Sequence, residues 1–235
     1  MNYQSVRDLA AFKKNTNMKN RFIILVSFVL LGTLFSCVTQ GVVGSGQLVS
    51  ELRTVDSFTE ITSIGSANIT VSYGPIQSVE VTVDDNIIAD IITETDGNKL
   101  IIRPKSGKSY SNINLSVRAT LPFLTSINNT GSGEFEVSGF ENLPSLSFKN
   151  TGSGRATLKG SCIDFSIENS GSGSVNGFDF ISEICTIENT GSGRFEVNCS
   201  RKLVGENSGS GSIFYKGNPS INFENNGSGK IKDAN

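Results

Sequence analysis

Histidine is absent from the 235 residues. That removes the usual general base, the commonest metal ligand and every histidine-containing triad. The residues left with chemical potential are an acidic group, Asp84, Asp85, Asp90 and Asp96, and four cysteines, Cys37, Cys162, Cys185 and Cys199. Two carboxylates roughly 5–10 Å apart across a sugar-sized cleft would suit glycoside hydrolysis. Asp84-Asp85-Asn86 reads more simply as a cap and turn, because no other convergent groups surround it in the sequence. Polysaccharide lyases built on parallel β-helices set Arg or Lys beside carboxylates on long loops, and connections such as Gly139–Pro144 are short. The cysteine spacing matches no zinc pattern. The Gly-Ser-Gly segments lack the carboxylate of a calcium roll, and no phosphate loop is present. No catalytic residue, metal ligand or cofactor is expected.

The residues that do recur have another use. Six copies of Asn-[Thr/Ser/Asn]-Gly-Ser-Gly begin at Asn129, Asn150, Asn169, Asn189, Asn207 and Asn225, at intervals of 18 to 21 residues. A fixed period near 20 residues marks coils stacked on one another. Two residues before each Asn stand Ile127, Phe148, Ile167, Ile187, Gly205 and Phe223; six after stand Phe135, Ala156, Val175, Phe195, Ile213 and Ile231. Polar residues such as Ser147, Lys149, Glu134 and Glu136 alternate with them. Period-two alternation on both sides of a turn predicts a strand, a tight corner and a second strand. A flexible Gly-Ser linker has no reason to keep that register. Each Asn falls in phase with the inward set. Stacked along the axis, the amides can bond to one another as Asn ladders do, which offsets their burial. At the spacing of in-register strands, six coils rise about 29 Å. A degenerate copy runs from Ile61 to Val71, with Ser63 in the Asn place and Ala67 in that of the second Gly.

Lys19 and Arg21 precede an apolar run, Phe22–Ser36, too short to span a bilayer and suited to a signal peptide. Leu34-Phe35-Ser36-Cys37 resembles a bacterial lipobox, with Phe an unusual occupant two before the Cys. The resemblance implies cleavage before Cys37 and its lipidation; an ordinary secretory signal is the alternative. Met18 is the better start than Met1. Losing residues 1–36 removes five basic and one acidic residue and moves the formal net charge from −2 to −6, which does not favour nucleic acid or anionic lipid. Residues 37–50 read as a lipidated N-terminus and flexible tether. No acidic tract follows Cys37, which favours a periplasm-facing protein over surface export. Cys185 takes an inward apolar position and is expected as a buried free thiol. Cys162 and Cys199 lie two coils apart, about 10 Å along the stack, too far for an undistorted disulfide.

Residues 76–120 break the repeat. Val79, Val81 and Val83 alternate as a strand, Asp96-Gly97 marks a hairpin, and Ile113, Leu115 and Val117 form one more strand. Gly44-Ser45-Gly46, Arg53, Phe58, Ile61, Gly65-Ser66, Val71 and Gly74, then Asp85-Asn86, Ile91, Gly97 and Leu100–Ile102, are arranged as at the start of the head GIN domain family of auto-transporter adhesins, and the Asn-Thr-Gly-Ser-Gly coils resemble that family's repeats. The resemblance covers roughly residues 44–235. It implies a β-solenoid of the lipoproteins and secreted proteins of Bacteroidetes-type bacteria, with no agreed catalytic motif.

The sequence therefore predicts an all-β protein, a parallel β-helix or β-solenoid of about six Asn-x-Gly-Ser-Gly coils with an inserted β-rich subdomain. Its parts are a signal peptide (1–36), a tether (37–50), an N-terminal β region holding the degenerate coil and the insertion (51–120) and the repeats (121–235). The expected function is a non-enzymatic lipoprotein of the cell envelope, held to the outer membrane by lipid on Cys37. It would bind a glycan or protein ligand on its polar strand faces or inserted region. A periplasmic structural or signalling-associated role is the alternative, and a polysaccharide-acting enzyme the third. Tyr73 and Tyr110 are candidates to stack on sugars, while Tyr215 falls on an inward site. Lys230, Lys232 and Asp233 are candidates for a polar end cap.

Overall fold

Alternation sets every strand in the computed structural model, which describes residues 40–235. The expected signal peptide and Cys37 lie outside the described residues. β1 (Gln40–Val43) and β2 (Leu48–Arg53) lead to β3 (Glu60–Gly65) and β4 (Asn68–Tyr73), which flank the Gly65-Ser66-Ala67 corner. β5 (Ser78–Asp84), one 3-10 turn (Ile88–Asp90), β6 (Ile91–Asp96), β7 (Lys99–Pro104), β8 (Lys108–Ser111) and β9 (Ser116–Leu121) follow. β10 (Ser126–Gly131) enters the repeats. β11 (Glu134–Asn150), β12 (Arg155–Asn169), β13 (Ser174–Asn189) and β14 (Arg194–Asn207) each run from one Gly-Ser-Gly corner to the next, followed by β15 (Ser212–Lys216), β16 (Ser220–Asn225) and β17 (Ile231–Asp233). The described residues contain no α-helix. They form one 15-stranded mixed sheet, not closed into a barrel, and the small β1–β8 pair.

Successive repeats pair in parallel, equivalent residue beside equivalent residue. Phe148 lies between Ile127 and Ile167, and Phe165 and Leu203 flank Cys185. The register therefore gathers the inward residues into columns, all inside one buried cluster with Phe135, Val175, Phe195 and Ile213. A slip of one residue would turn each column toward water, so the core holds the register.

Residues 76–120 are a correction to the expected subdomain. β7 pairs in parallel with β3 on the side away from β10, and β9 with β4 on the side away from β11. The chain forms β3 and β4, adds β7 and β9 to their far edges, and only then crosses to β10. Below, β6 folds antiparallel on β7, and β5 lies antiparallel between β9 and β2. Val79, Val81, Leu100, Ile102, Val117 and Leu121 share the core of the repeats. Their apolar faces had no second core to bury against, so the segment extends the sheet and caps it.

The expected tether is also corrected over residues 40–50. β1 pairs with β8 and β2 with β5. Between them Gly44–Gly46 is fastened to the Asp84–Asn86 turn. Gly46 N donates to Asp84 Oδ1 (2.7 Å), Ser45 N to Asn86 Oδ1 (3.1 Å), and Asn86 Nδ2 to Val43 O (2.8 Å). A side chain at Gly44 would collide with Asn112 O and Asp84. Glycine here is a requirement of close approach rather than a sign of flexibility.

Candidate functional site

The repeated Asn residues come together in one column. Asn129 Nδ2 donates to Asn150 Oδ1, Asn150 to Asn169, Asn169 to Asn189, Asn189 to Asn207 and Asn207 to Asn225, at 2.8, 2.8, 2.7, 2.6 and 2.8 Å. The second amide hydrogen of each turns back on its own corner, to Gly152 O from Asn150 and to Gly171 O from Asn169, both at 2.9 Å. All but Asn225 are buried. The glycines make room for this. A Cβ on Gly152 would lie 1.8 Å from Gly131 O of the neighbouring coil, and one on Gly154 would lie 2.1 Å from Asn129 Nδ2. The Asn side chains of the repeated phrase are thus spent on stacking the repeats, while Thr151, Ser170 and Thr190 line a shallow outer cavity with Lys149, Glu168 and Glu188.

The column has an unfinished end. Ser63 stands beside Asn129, and neither Ser63 Oγ nor Asn129 Oδ1 finds a partner although both are buried. Ala67 takes the place of the second glycine in this first repeat, and Ile102 rather than an Asn pairs with Ser63 in the strand beneath.

The acidic candidates do not converge. Asp84 is buried and accepts from Gly46 N and Asn114 N (3.2 Å); these backbone donors hold its carboxyl below the ordinary aspartate range. Asp90 accepts from Lys108 Nζ (2.5 Å) and Tyr110 Oη (3.2 Å) and pairs with Lys105 (3.3 Å), and the Lys108 bond foremost lowers its pKa. Asp85 accepts from Ser45 Oγ (2.5 Å). Asp96 closes the β6–β7 hairpin. Each holds a turn or knot of the N-terminal cap. Among the described residues no group of three or more His, Cys, Asp or Glu is placed to hold a metal ion. Cys162, Cys185 and Cys199 are buried free thiols. Burial pushes Cys162 up to about 12 and raises Cys185 as well, so both stay protonated and unreactive. Ser182 sits between Cys162 and Cys199 in the register, keeping that pair two coils apart.

On the outward faces, Glu168, Glu188, Glu206 and Glu224 also stack in register. Like charges so aligned repel. Lys149 relieves one at 2.8 Å from Glu168, and bonds from Ser208 and Asn226 hold the Glu206 carboxyl low.

Tyr110 is engaged with Asp90, and Tyr215 packs against the core. Tyr73 differs. It projects from the end of β4 into a solvent-open cavity of about 410 Å³, lined also by Pro122 and Phe123 of the β9–β10 connection and by Phe140, Glu141 and Asn142 in the middle of β11. Sequence reasoning named Tyr73 but missed its neighbours. The available signal was Phe123 beside Leu121 and Leu124, an apolar residue out of phase with the inward set.

Residues 57–219 match the family described as "Putative auto-transporter adhesin, head GIN domain". The chain belongs to that family. Solved structures similar to this head GIN chain include a putative adhesin from Bacteroides fragilis, at 22% identity over 82% of this chain and 100% of that one, with a TM-score of 0.69. A putative lipid binding protein from Parabacteroides distasonis is 24% identical over 83% and 100% of the two chains, with a TM-score of 0.54. A putative adhesin from the same species is 20% identical over 83% and 100%, with a TM-score of 0.55. At these identities the likeness is one of fold. No curated protein matches the sequence.

Proposed function

We propose that this head GIN chain is a non-enzymatic binding protein of the cell envelope, wound as a β-solenoid, anchored through lipid on Cys37 and adhesin-like in role. The observation that carries the reading is the buried Asn column with its in-register coils. The repeat is consumed in building a stiff body, and what it leaves outside is surface. A rigid solenoid face suits contact with another molecule better than it suits catalysis. The acidic side chains best placed for chemistry, Asp84 and Asp90, are already held by donors of the cap. The names of two structural neighbours, both adhesins, agree with this reading, and that of a third, a lipid binding protein, agrees with binding more broadly.

Protease treatment of intact cells tests it. A surface adhesin is cleaved while periplasmic markers survive; full protection would favour the periplasmic structural or signalling-associated role, for which the lack of an acidic tract after Cys37 speaks. Replacing Cys37 with Ser should move the protein from the membrane to the soluble fraction, and retention in the membrane would end the lipid-anchor reading.

A further inference from the structure

We infer that the cavity around Tyr73, Phe123 and Asn142 is a binding subsite for a neutral glycan segment. The inference rests on the binding-protein reading above and names where binding occurs and what chemistry it takes.

Among the described residues the aromatic rings other than Tyr73 and Phe123 are buried or half-buried. Phe135, Phe140, Phe148, Phe165, Phe180 and Phe195 are fully buried, and among the described residues the only large aromatics that are mostly exposed are Tyr73 (55%) and Phe123 (63%). Both line this one cavity. Tyr73 is not a loose surface ring. Its ring meets that of Phe140 edge to face, with centroids 6.1 Å apart and planes at 82°, and a side chain at Gly139 would come within 3.3 Å of its Cβ. The opposite wall is rigid too. Gly139 (φ 82°) and Asn142 (φ 56°) are both left-handed, a conformation that non-glycine residues adopt only where the surroundings over-determine it. Here Asn142 N donates to Ser161 Oγ (2.8 Å), and Ser161 Oγ donates to Glu141 Oε2 (2.6 Å). That leaves Glu141 Oε1 and the Asn142 side-chain amide, both exposed on the cavity wall, without a hydrogen-bond partner among the described residues.

A pyranose ring presents an apolar C–H face and a belt of hydroxyls. Two exposed aromatic rings, Tyr73 held against Phe140, beside one amide and one carboxylate oxygen match that pattern, and the volume is that of a small-ligand pocket, typically about 300–1,000 Å³. A phosphorylated or nucleic-acid ligand would require Lys or Arg, and none lines the cavity. An acyl chain would require enclosure, and the cavity is only about half enclosed.

Saturation-transfer NMR on the full chain in detergent, with cellohexaose, mannohexaose and chitohexaose as probes, tests the inference; decanoate and a polyproline peptide serve as competing ligand classes. At least one saccharide should receive saturation on its ring C–H protons. Tyr73→Ala and Phe123→Ala should each weaken it about tenfold with unchanged circular dichroism; melting should be unchanged in Phe123→Ala and slightly lower in Tyr73→Ala, which uncovers Phe140. Asn142→Gly keeps the left-handed backbone, removes the amide and should also weaken binding. Saccharide binding that persists in the Tyr73→Ala/Phe123→Ala double variant would overturn the site while leaving the binding-protein reading intact. Binding of decanoate or polyproline but no saccharide would overturn the ligand class. No binding to any probe, with no adherence to cells, would remove both readings.

Discussion

An amide side chain can donate and accept along a stack at once, so one Asn per repeat makes a continuous hydrogen-bonded column whose interior amides have no unmet group. This makes the interior of the column and its ends unequal. Asn169→Ala removes bonds to both Asn150 and Asn189 inside the core. It should cost about 2–4 kcal/mol, seen as a lower urea midpoint with unchanged m-value. Asn225 is exposed and bonded to only one neighbouring Asn, and its replacement by Ala should cost under about 1 kcal/mol. The opposite end invites repair. Gly133 has the place that Gly154 has above Asn129, so an amide at position 63 has room to donate to the vacant Asn129 Oδ1. Ser63→Asn should therefore stabilise the protein by about 1 kcal/mol in the same assay. Gly152→Ala should be far worse than either loss, about 3 kcal/mol or more, because its methyl meets the backbone oxygen of the neighbouring coil, which cannot move away alone. The inward phase of the Asn residues was legible from their spacing to Ile127, Phe148 and Ile167. The glycines were legible only as bends. The near-contact of Gly152 to Gly131 O became visible only once the neighbouring repeat was in place.

At the level of elements, the N-terminal cap depends on charged side chains where the repeats depend on amides. Asp84 ties β5 to Gly46 and to Asn114, just ahead of β9, and Asp90 ties the 3-10 turn to Lys105, Lys108 and Tyr110. Both carboxyls titrate below the 3.8 of an unperturbed aspartate in the folded protein. Around that pH the unfolded chain binds more protons than the folded one. Their contribution is therefore fully present above about pH 4 and is lost as the pH falls through the depressed native values. Thermal melting should be flat from neutral pH down to about pH 5 and fall below about pH 4. Asp84→Asn should lower the melting temperature at pH 7 and flatten that acid decline. An undiminished decline in the variant would place the acid sensitivity elsewhere. The strands of this cap were readable from Val79-Val81-Val83 and Asp96-Gly97. Their placement beneath β3 and β4 was not, because the pairings of β7 and β9 join residues far apart in the chain and carry no local signal.

For the molecule as a whole, stacking produces two different ends. The N-terminal end turns antiparallel through β6, β5 and β2, while β16 and β17 pair only on the side facing β14 and β15. Lys230, Lys232 and Asp233, expected as a polar cap, lie on that last half-paired layer. Hydrogen exchange should therefore be fastest over residues 220–235 and slowest over β12 and β13, which are paired on both sides. Mass spectrometry of peptic fragments measures this directly, and a protected C-terminal segment would mean that the edge is covered in solution.

The sequence by itself determined the all-β character, the register of the repeats and the inward Asn column. Each follows from period-two alternation kept in step with a recurring corner, which is local information. It also determined that the chain is read as a head GIN protein, since that pattern extends over most of its length. Only the tertiary structure decided that residues 76–120 continue the sheet, that Gly44–Gly46 is pinned rather than free, and that Tyr73, Phe123 and Asn142 share one cavity. Tyr73 and Asn142 are 69 residues apart in the chain. What brings them together is β4 pairing with β11, a contact made by core burial across coils, and no spacing within either segment encodes it.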